Sequence, residues 1–349
     1  MSQQNMIPII MDPAFNKLAE IDDYISFIWT TRYYAPGDFE LCAPISWIEY
    51  LTIHNYVKRP HDNCPCIIEK VEIKRTDEAQ EMVIVTGRSL ECILERRVIA
   101  NQQQITGSVI YSISSLLSYN VINPSDNARK INNFFSGSTS ESTATVDAQY
   151  LGQNLLETIC DLCETFSIGM RLTIEDNNEL WFETFDGKDR SLDQNTNARV
   201  IFSDDYDNLI NCDYVKNIEG YCTDVLVGGE GEGTSRTLVW SAKDSQTGMS
   251  RYEKFLDASS AVSNDHIITQ ATYEAQLEGL GLAELTEYTT AFSGEVNFDS
   301  VNFGIDVQVG DIVTIQNRKW GMYINTRILE VIESVGEDGA YSIIPTFGI

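Results

Sequence analysis

The stretch WTTRYYAPGDFEL, residues 29–41, decides the fold class. β-Branched and aromatic residues, which suit a pleated surface, lead into Ala35-Pro36-Gly37-Asp38. That tetrapeptide is a strong turn signal, because proline presets one backbone angle and glycine tolerates a reversal of the chain. Phe39 and Leu41 then resume an apolar alternation around Glu40. The reading is strand, turn, strand.

Working outward, residues 20–100 continue as strands and turns. Residues 67–73 and 82–85 read as paired strands around the polar turn 75–80. Residues 87–97 predict a short amphipathic helix with Leu90, Ile93 and Leu94 on one face, and residues 105–118 a second short helix. Residues 136–145, SGSTSESTAT, have no hydrophobic pattern and predict an exposed loop. Asn154 to Phe166 is the clearest helix, with Leu155, Leu156, Ile159, Leu162, Cys163 and Phe166 in one stripe. Asn154 stands at its N-cap with Glu157 three residues on, as in a capping box. A hairpin comes next: Met170, Leu172 and Ile174, a turn at Asp176-Asn177-Asn178, and a return over residues 180–185. From Asn208 the pattern is again β. Residues 224–227 predict a strand ending in Gly228-Gly229-Glu230-Gly231-Glu232-Gly233. Residues 266–288 look helical but interrupted by Gly279 and Gly281. Residues 309–315, 325–333 and 341–346 predict the last strands. No repeat of 20–50 residues is found.

The chain has 349 residues, of which 43% are hydrophobic, enough for an ordinary core in two or three domains. Lys and Arg number 24 against 52 Asp and Glu, a formal charge of −28. Such a surface repels duplex nucleic acid, whose tight binding depends on Lys and Arg displacing counterions. It suits a soluble acidic surface, or a channel through which DNA slides without sticking. No apolar run reaches bilayer-spanning length, and residues 1–12 lack the basic region of a signal peptide. Folding in a cytosol is expected, with the eight cysteines reduced.

The candidate chemical sites are weak. His61, Cys64 and Cys66, with His54 or Cys42, are weighed as zinc ligands against buried thiols, but no second paired cluster exists at finger or ribbon spacing. Cys160 and Cys163 fall in mid-helix rather than at the N-terminus where a redox pair gains reactivity, so core packing is expected. The Gly228 to Gly233 run lacks the Lys-Ser/Thr of a phosphate loop and carries Glu230 and Glu232, which repel phosphate. Asp204, Asp205, Asp207 and Asn208 lack the spacing and closing Glu of a calcium loop; a turn with side chains bonding the backbone is expected. The histidines His54, His61 and His266 accompany no nucleophile motif. No catalytic residue, metal or cofactor is assigned, and the chain is not expected to be an enzyme.

Residues 29–41 also resemble the N-terminal signature of a siphophage tail-tip or baseplate hub family, similar to the hub modules of tail-associated lysins. Residues 68–73 (IEKVEI), 86–90 (TGRSL) and 95–97 (ERR) come next in the family's order. Then come 186–191 (DGKDRS), 201–203 (IFS), 207–209 (DNL), 229–233 with Arg236, 309–313 (VGDIV), 327–331 (RILEV) and 345–348 (PTFG). The positions that carry the resemblance, as structural or interface residues, are Trp29, Arg32, Tyr33, Gly37, Phe39, Arg88, Asp186, Asp189, Arg190, Asn208, Gly229, Gly231, Gly233, Arg236, Gly310, Asp311, Arg327, Glu330 and Gly348. No lysin domain is expected after the last block.

The resemblance implies a mainly β fold with α+β insertions: two hub-type β-barrels decorated by a helix-plus-hairpin domain and a broken helix. The expected domains are 1–107, a first barrel; 108–205, the α+β domain; and 206–349, a second barrel with a helical insertion around 265–288. It further implies a structural virion protein at the tail tip, made in the host cytoplasm and assembling as a homo-trimeric ring that closes the tail tube. Its implied partners are a distal tail ring protein, a tape-measure protein and other tail-tip or receptor-binding proteins, with the genome passing through unbound and no membrane anchor. The alternatives are a module that binds a host-surface glycan or protein, and a cell-wall-degrading enzyme. Trp29 is expected in the core, while Tyr33 and Tyr34 are core or interface. Arg32, Arg88, Arg190 and Arg236 are expected in salt bridges, within the fold or across subunits. Gly37, Gly310 and Gly348 are expected at turns.

Overall fold

The computed structural model describes residues 6–75, 81–244, 246–259, 269–286, 289–296, 298 and 301–348. The expected strand–turn–strand is present: Ser26–Arg32 and Asp38–Pro44 pair antiparallel, Trp29 opposite Phe39. The period of two places Phe27, Trp29, Phe39 and Leu41 in the core and leaves Glu40 exposed. Gly37 ends the turn at a close approach. A Cβ there would lie 2.0 Å from the Thr30 carbonyl oxygen, so a larger residue would push the strands apart.

This hairpin is the middle of an eleven-stranded sheet. On one side lie Glu81–Ser89, Cys66–Arg75, Tyr56–Lys58, Ile9–Met11 and Lys17–Glu20, in that order. On the other, Ser26–Arg32 pairs with the far half of Met322–Val335, whose near half pairs with Ile312–Asn317 and, beyond it, Ile201–Ser203. Tyr341–Gly348 runs along the opposite edge of Met322–Val335. The path is open among the described residues: no ladder joins its two ends. Sequence pattern shows each strand; only the fold shows that strands about 300 residues apart are neighbours.

A second core in the same compact unit (residues 1–212 and 293–349) gathers the helices. Helix α1 (Val109–Leu117) and helix α2 (Leu155–Thr165) pack on the hairpin Gly169–Glu175 and Glu179–Phe185, to which Phe134–Ser138 adds in parallel. The Asn154 carboxamide oxygen caps α2, accepting from Leu156 N–H at 2.9 Å and Glu157 N–H at 3.3 Å. The apolar stripe is buried as expected from Leu155 to Cys163; each such aliphatic side chain contributes about 1.5–3 kcal/mol.

The other unit, residues 213–292, has its own small core. Asp224–Gly228 is central, antiparallel to Leu238–Ala242 and parallel to Glu253–Asp257. Helix α3 (Gln270–Ala283) lays Tyr273 and Leu277 on Val225 and Val227.

Four local expectations need correction. The segment expected as a helix from residue 87 is strand to Ser89, and only Leu90–Arg96 turns, as a 3₁₀ helix. Gly87 must stay in the sheet because its missing Cβ admits the Ile67 carbonyl. The helix expected from 105 begins at Val109, since Gln103–Ser108 pairs with Thr145–Tyr150. The expected loop 136–145 therefore has strand at both ends, Phe134–Ser138 and Thr145–Tyr150. Finally, α3 is not broken: it runs through Gly279 and Gly281. A Cβ on Gly281 would sit 2.2 Å from Ser241 Oγ, so that glycine lets the helix approach the sheet. His266, where that helix was expected to start, and turn residues 76–80 lie outside the described residues. No described helix is long and apolar enough to cross a membrane.

Candidate functional site

The sequence blocks converge at Tyr33. Its ring is fully buried, and Gly169 and Gly310 press against it so closely that a Cβ on either would come within 2.3 Å. The hydroxyl accepts from Gly187 N–H at 3.0 Å and lies 3.2 Å from the Ser167 carbonyl and 3.3 Å from that of Phe185. Burial raises its pKa, so it remains a neutral donor. The Arg327 guanidinium stacks 5.2 Å from the ring centre and donates to the Gly310 carbonyl at 2.5 Å. Beside it, buried Asp311 accepts from Lys188 N–H and Arg190 Nε, both at 2.7 Å. Gly310 has φ +94°, which favours glycine. One tyrosine and one aspartate thus tie the hairpin, residues 186–190 and the last strands to the central strand. The Asp186 carboxylate accepts from Ser140 Oγ and Glu141 N–H, both at 2.7 Å, anchoring the Ser/Thr-rich connection. Asp189 accepts from Ser191 N–H.

A second group lies on the outer face of the sheet. Arg32 bridges Glu330 and Asp38, both at 2.6 Å. Arg88, opposite Asp38, grips Glu69 with two nitrogens at 2.8 and 2.9 Å and reaches Glu95 at 2.6 Å. The Arg88 side chain and its two partners are each about a third or more exposed, and pairing there is worth little. Trp29, by contrast, is core, as expected, with the Arg59 guanidinium 4.9 Å over it. Arg59 pairs with Asp62 and with buried Glu333, which also accepts from Tyr341 at 2.7 Å.

In the 213–292 unit, the glycine run is a closely packed turn. Arg236 donates to the Gly228 and Gly229 carbonyls and pairs with Asp257 at 2.5 Å. Gly231 (φ +102°) and Gly233 (φ +54°) have left-handed backbone. Gly348, expected at a turn, instead lies in the last strand opposite Arg327, with Leu329 packed where a Cβ would be.

The weak candidates resolve into structure. Asn208 Oδ1 accepts from Ser203 N–H at 2.7 Å and its Nδ2 donates to the Ile201 carbonyl at 2.9 Å. Asp205 pairs with Arg318 at 2.7 Å, and Asp207 takes the left-handed cap. Cys160 and Cys163 have thiols pushed up to about 12 by burial, the reverse of a reactive pair. Cys64 and Cys66 are raised well above the usual range for the same reason. Among the described residues, no group of three or more His, Cys, Asp and Glu stands together as metal ligands do.

Sequence reasoning missed Glu91. It sits beside the expected apolar face of 90–94 but is buried, 5% exposed. Its Oε1 accepts from Leu172 N–H at 2.7 Å. Burial raises its pKa, with the Ser89 hydroxyl pulling the other way. An acidic residue inside an apolar run was the available signal. Glu91 borders a cavity of about 500 Å³ that Trp29, Arg59, Met170, Arg171, Phe185 and Val309 also line.

Against known proteins, the model of the family described as Siphovirus ReqiPepy6 Gp37-like protein matches residues 7–349. No curated protein matches the sequence. Three solved structures share the fold along nearly the whole chain. The prophage tail protein gp18 of Listeria monocytogenes is 12% identical with a TM-score of 0.57, covering 98% of this chain and 94% of its own. A tail protein of Neisseria meningitidis is 11% identical with a TM-score of 0.58, covering 98% and 95%. The 43 kDa tail protein of prophage MuSo2 from Shewanella oneidensis is 12% identical with a TM-score of 0.54, covering 97% of each. The siphophage kinship expected from the ordered blocks is therefore present, and the fold is the mainly β fold of phage tail proteins.

Proposed function

This chain belongs to the Siphovirus ReqiPepy6 Gp37-like protein family, and from that premise we propose that it is a structural virion protein, the hub at the tip of a long-tailed phage tail. The observation that carries the reading is that one fold, that of phage tail proteins, is shared from end to end of the chain rather than in a detachable part. In this reading three copies close into a ring at the end of the tail tube. The ring joins a distal tail ring protein to the tape-measure protein and to receptor-binding or other tip proteins. Closed cyclic assembly needs two different faces on each subunit.

The two barrel-type domains, 1–107 and 206–349, with the α+β domain 108–205 between them, are part of the proposal. Their strands meet in one sheet where residues 27–32 pair with 330–335, which supports a hub whose halves are coupled rather than strung together. The charge supports the lumen role: three chains carry 3 × −28 = −84, a surface to which DNA does not adhere. Exposed apolar residues support assembly. In the 213–292 unit Trp240, Leu226 and Phe255 stand side by side across three strands, and Trp240 and Phe255 are about half exposed. Aromatic residues are enriched at interfaces.

Light scattering over a concentration series tests this first. A species of three times 39.3 kDa, alone or with the distal ring protein, is the expected result. A monomer under both conditions would end the hub reading. A clear zone on cell-wall zymography would establish an enzyme instead.

A further inference from the structure

Phe134–Ser138 lies at the edge of its three-stranded sheet, paired among the described residues only with Glu179–Phe185. Leu180 N–H donates to the Asn133 carbonyl and Thr139 N–H to the Thr184 carbonyl, both at 2.8 Å. Alternate residues of a parallel strand face its partner, so 133, 135, 137 and 139 face the sheet. The N–H and C=O groups of Ser136 and Ser138 therefore point off the edge, and among the described residues they have no hydrogen-bond partner. An open row of this kind is a template for another strand, and proteins ordinarily blunt it with charge or proline. The edge strand Tyr341–Gly348 is blunted by Pro345. Phe134–Ser138, FFSGS, has neither charge nor proline. Both flanks of this edge are apolar. On the helix side a groove of about 380 Å³ is lined by Ile110, Ile113 and Leu117 of α1 and by Phe182, with exposed Tyr111 at its rim. No charged residue lines it, although 22% of the chain is charged. On the opposite face Phe135 stacks on Trp181 at 4.9 Å, and both side chains are more than a third exposed.

We infer that this edge is a docking site for an extended, uncharged segment of a partner polypeptide, which adds to the sheet as a fourth strand. The backbone groups of Ser136 and Ser138 hydrogen-bond to it. Its side chains fall alternately into the groove and against Phe135. A strand covered on both faces is apolar at consecutive positions, and the uncharged lining excludes a charged one, whose desolvation nothing there offsets. The inference does not rest on the hub reading, because strand, helix and groove lie within one compact unit of a single chain.

Fluorescence anisotropy of a labelled, end-blocked Thr-Val-Ile-Val-Thr peptide titrated with the full chain tests it. The control peptide has the same side chains but N-methyl groups on its three central residues, which removes the N–H groups that a strand needs. Saturable binding of the first peptide is expected, with the control weaker by about tenfold or more for the hydrogen bonds lost. Bound peptide should also slow hydrogen exchange at the Ser136 and Ser138 amides. Ser136→Pro removes a donor from the open edge without touching the ladder, and should weaken binding by about tenfold or more. Tyr111→Glu, on the exposed rim, sets a charge beside the groove and serves if Ser136→Pro fails to fold. No saturation, equal binding of the methylated control, or binding unchanged in a folded variant overturns the inference. Protection of the Ser136 and Ser138 amides that rises with protein concentration alone assigns the edge to a second copy of this chain, and overturns it equally.

Discussion

The junction around Tyr33 and the charged face around Arg88 draw on the same set of sequence blocks, yet they do different work. At the junction, Arg190 and Asp311 pair with side chains 12% and 4% exposed, and the aspartate also holds the Lys188 and Gln308 amides. On the outer face, Arg88 and its partners Glu69 and Glu95 have side chains 38%, 33% and 46% exposed. Counting ion pairs would rank Arg88 higher. Solvent reverses the order: water and salt screen the outer pairs, whereas a group left alone at the junction keeps its full desolvation cost.

Asp311→Ala should break this comparison most strongly. It strands Arg190 and two amides, and urea unfolding should show a loss of about 3–5 kcal/mol. A loss below that of Arg88→Ala would refute the contrast. Gly169→Ala comes next, since its methyl meets the Tyr33 ring; overpacking of this kind costs about 1–3 kcal/mol. An unchanged midpoint would mean that the ring is free to move. Tyr33→Phe keeps the packing and removes the acceptor for Gly187 N–H, for about 1–2 kcal/mol. Hydrogen exchange at the Gly187 amide should accelerate in the same variant. Arg88→Ala is expected to cost about 0–1 kcal/mol. In about 1 M salt that small effect should vanish while the Asp311→Ala loss persists; equal salt sensitivity would show that the junction pair is as wet as the surface pair.

These two regions also differ in how far they could be read beforehand. The turn at 35–38, the α2 stripe with its Asn154 cap and the 169–185 hairpin were legible because each depends on neighbours within about ten residues. The buried place of Trp29 was expected from the usual burial of large apolar residues. The role of Tyr33 was not legible: it depends on Gly169 and Gly310, which look ordinary until its ring is placed against them, and on the Gly187 N–H that its hydroxyl accepts from. Gly281 misled for the same reason. Local propensity read it as a helix break, while close packing on Ser241 and Val227 had selected it. Glu91 was hidden because a charged residue beside an apolar face is normally solvated, and the amide that receives it, Leu172 N–H, lies some 80 residues on.

By itself, the sequence determined the mainly β class, the α2–hairpin unit, the strongly acidic surface and, through blocks kept in order along the chain, the phage family. Those properties are carried by local periodicity, turn chemistry and summed charge, none of which needs distant contacts. Tertiary structure alone decided which strands are neighbours, which arginines count and where a carboxyl is buried. Those outcomes depend on which residues lose their water together, and residues far apart in the chain are what remove it.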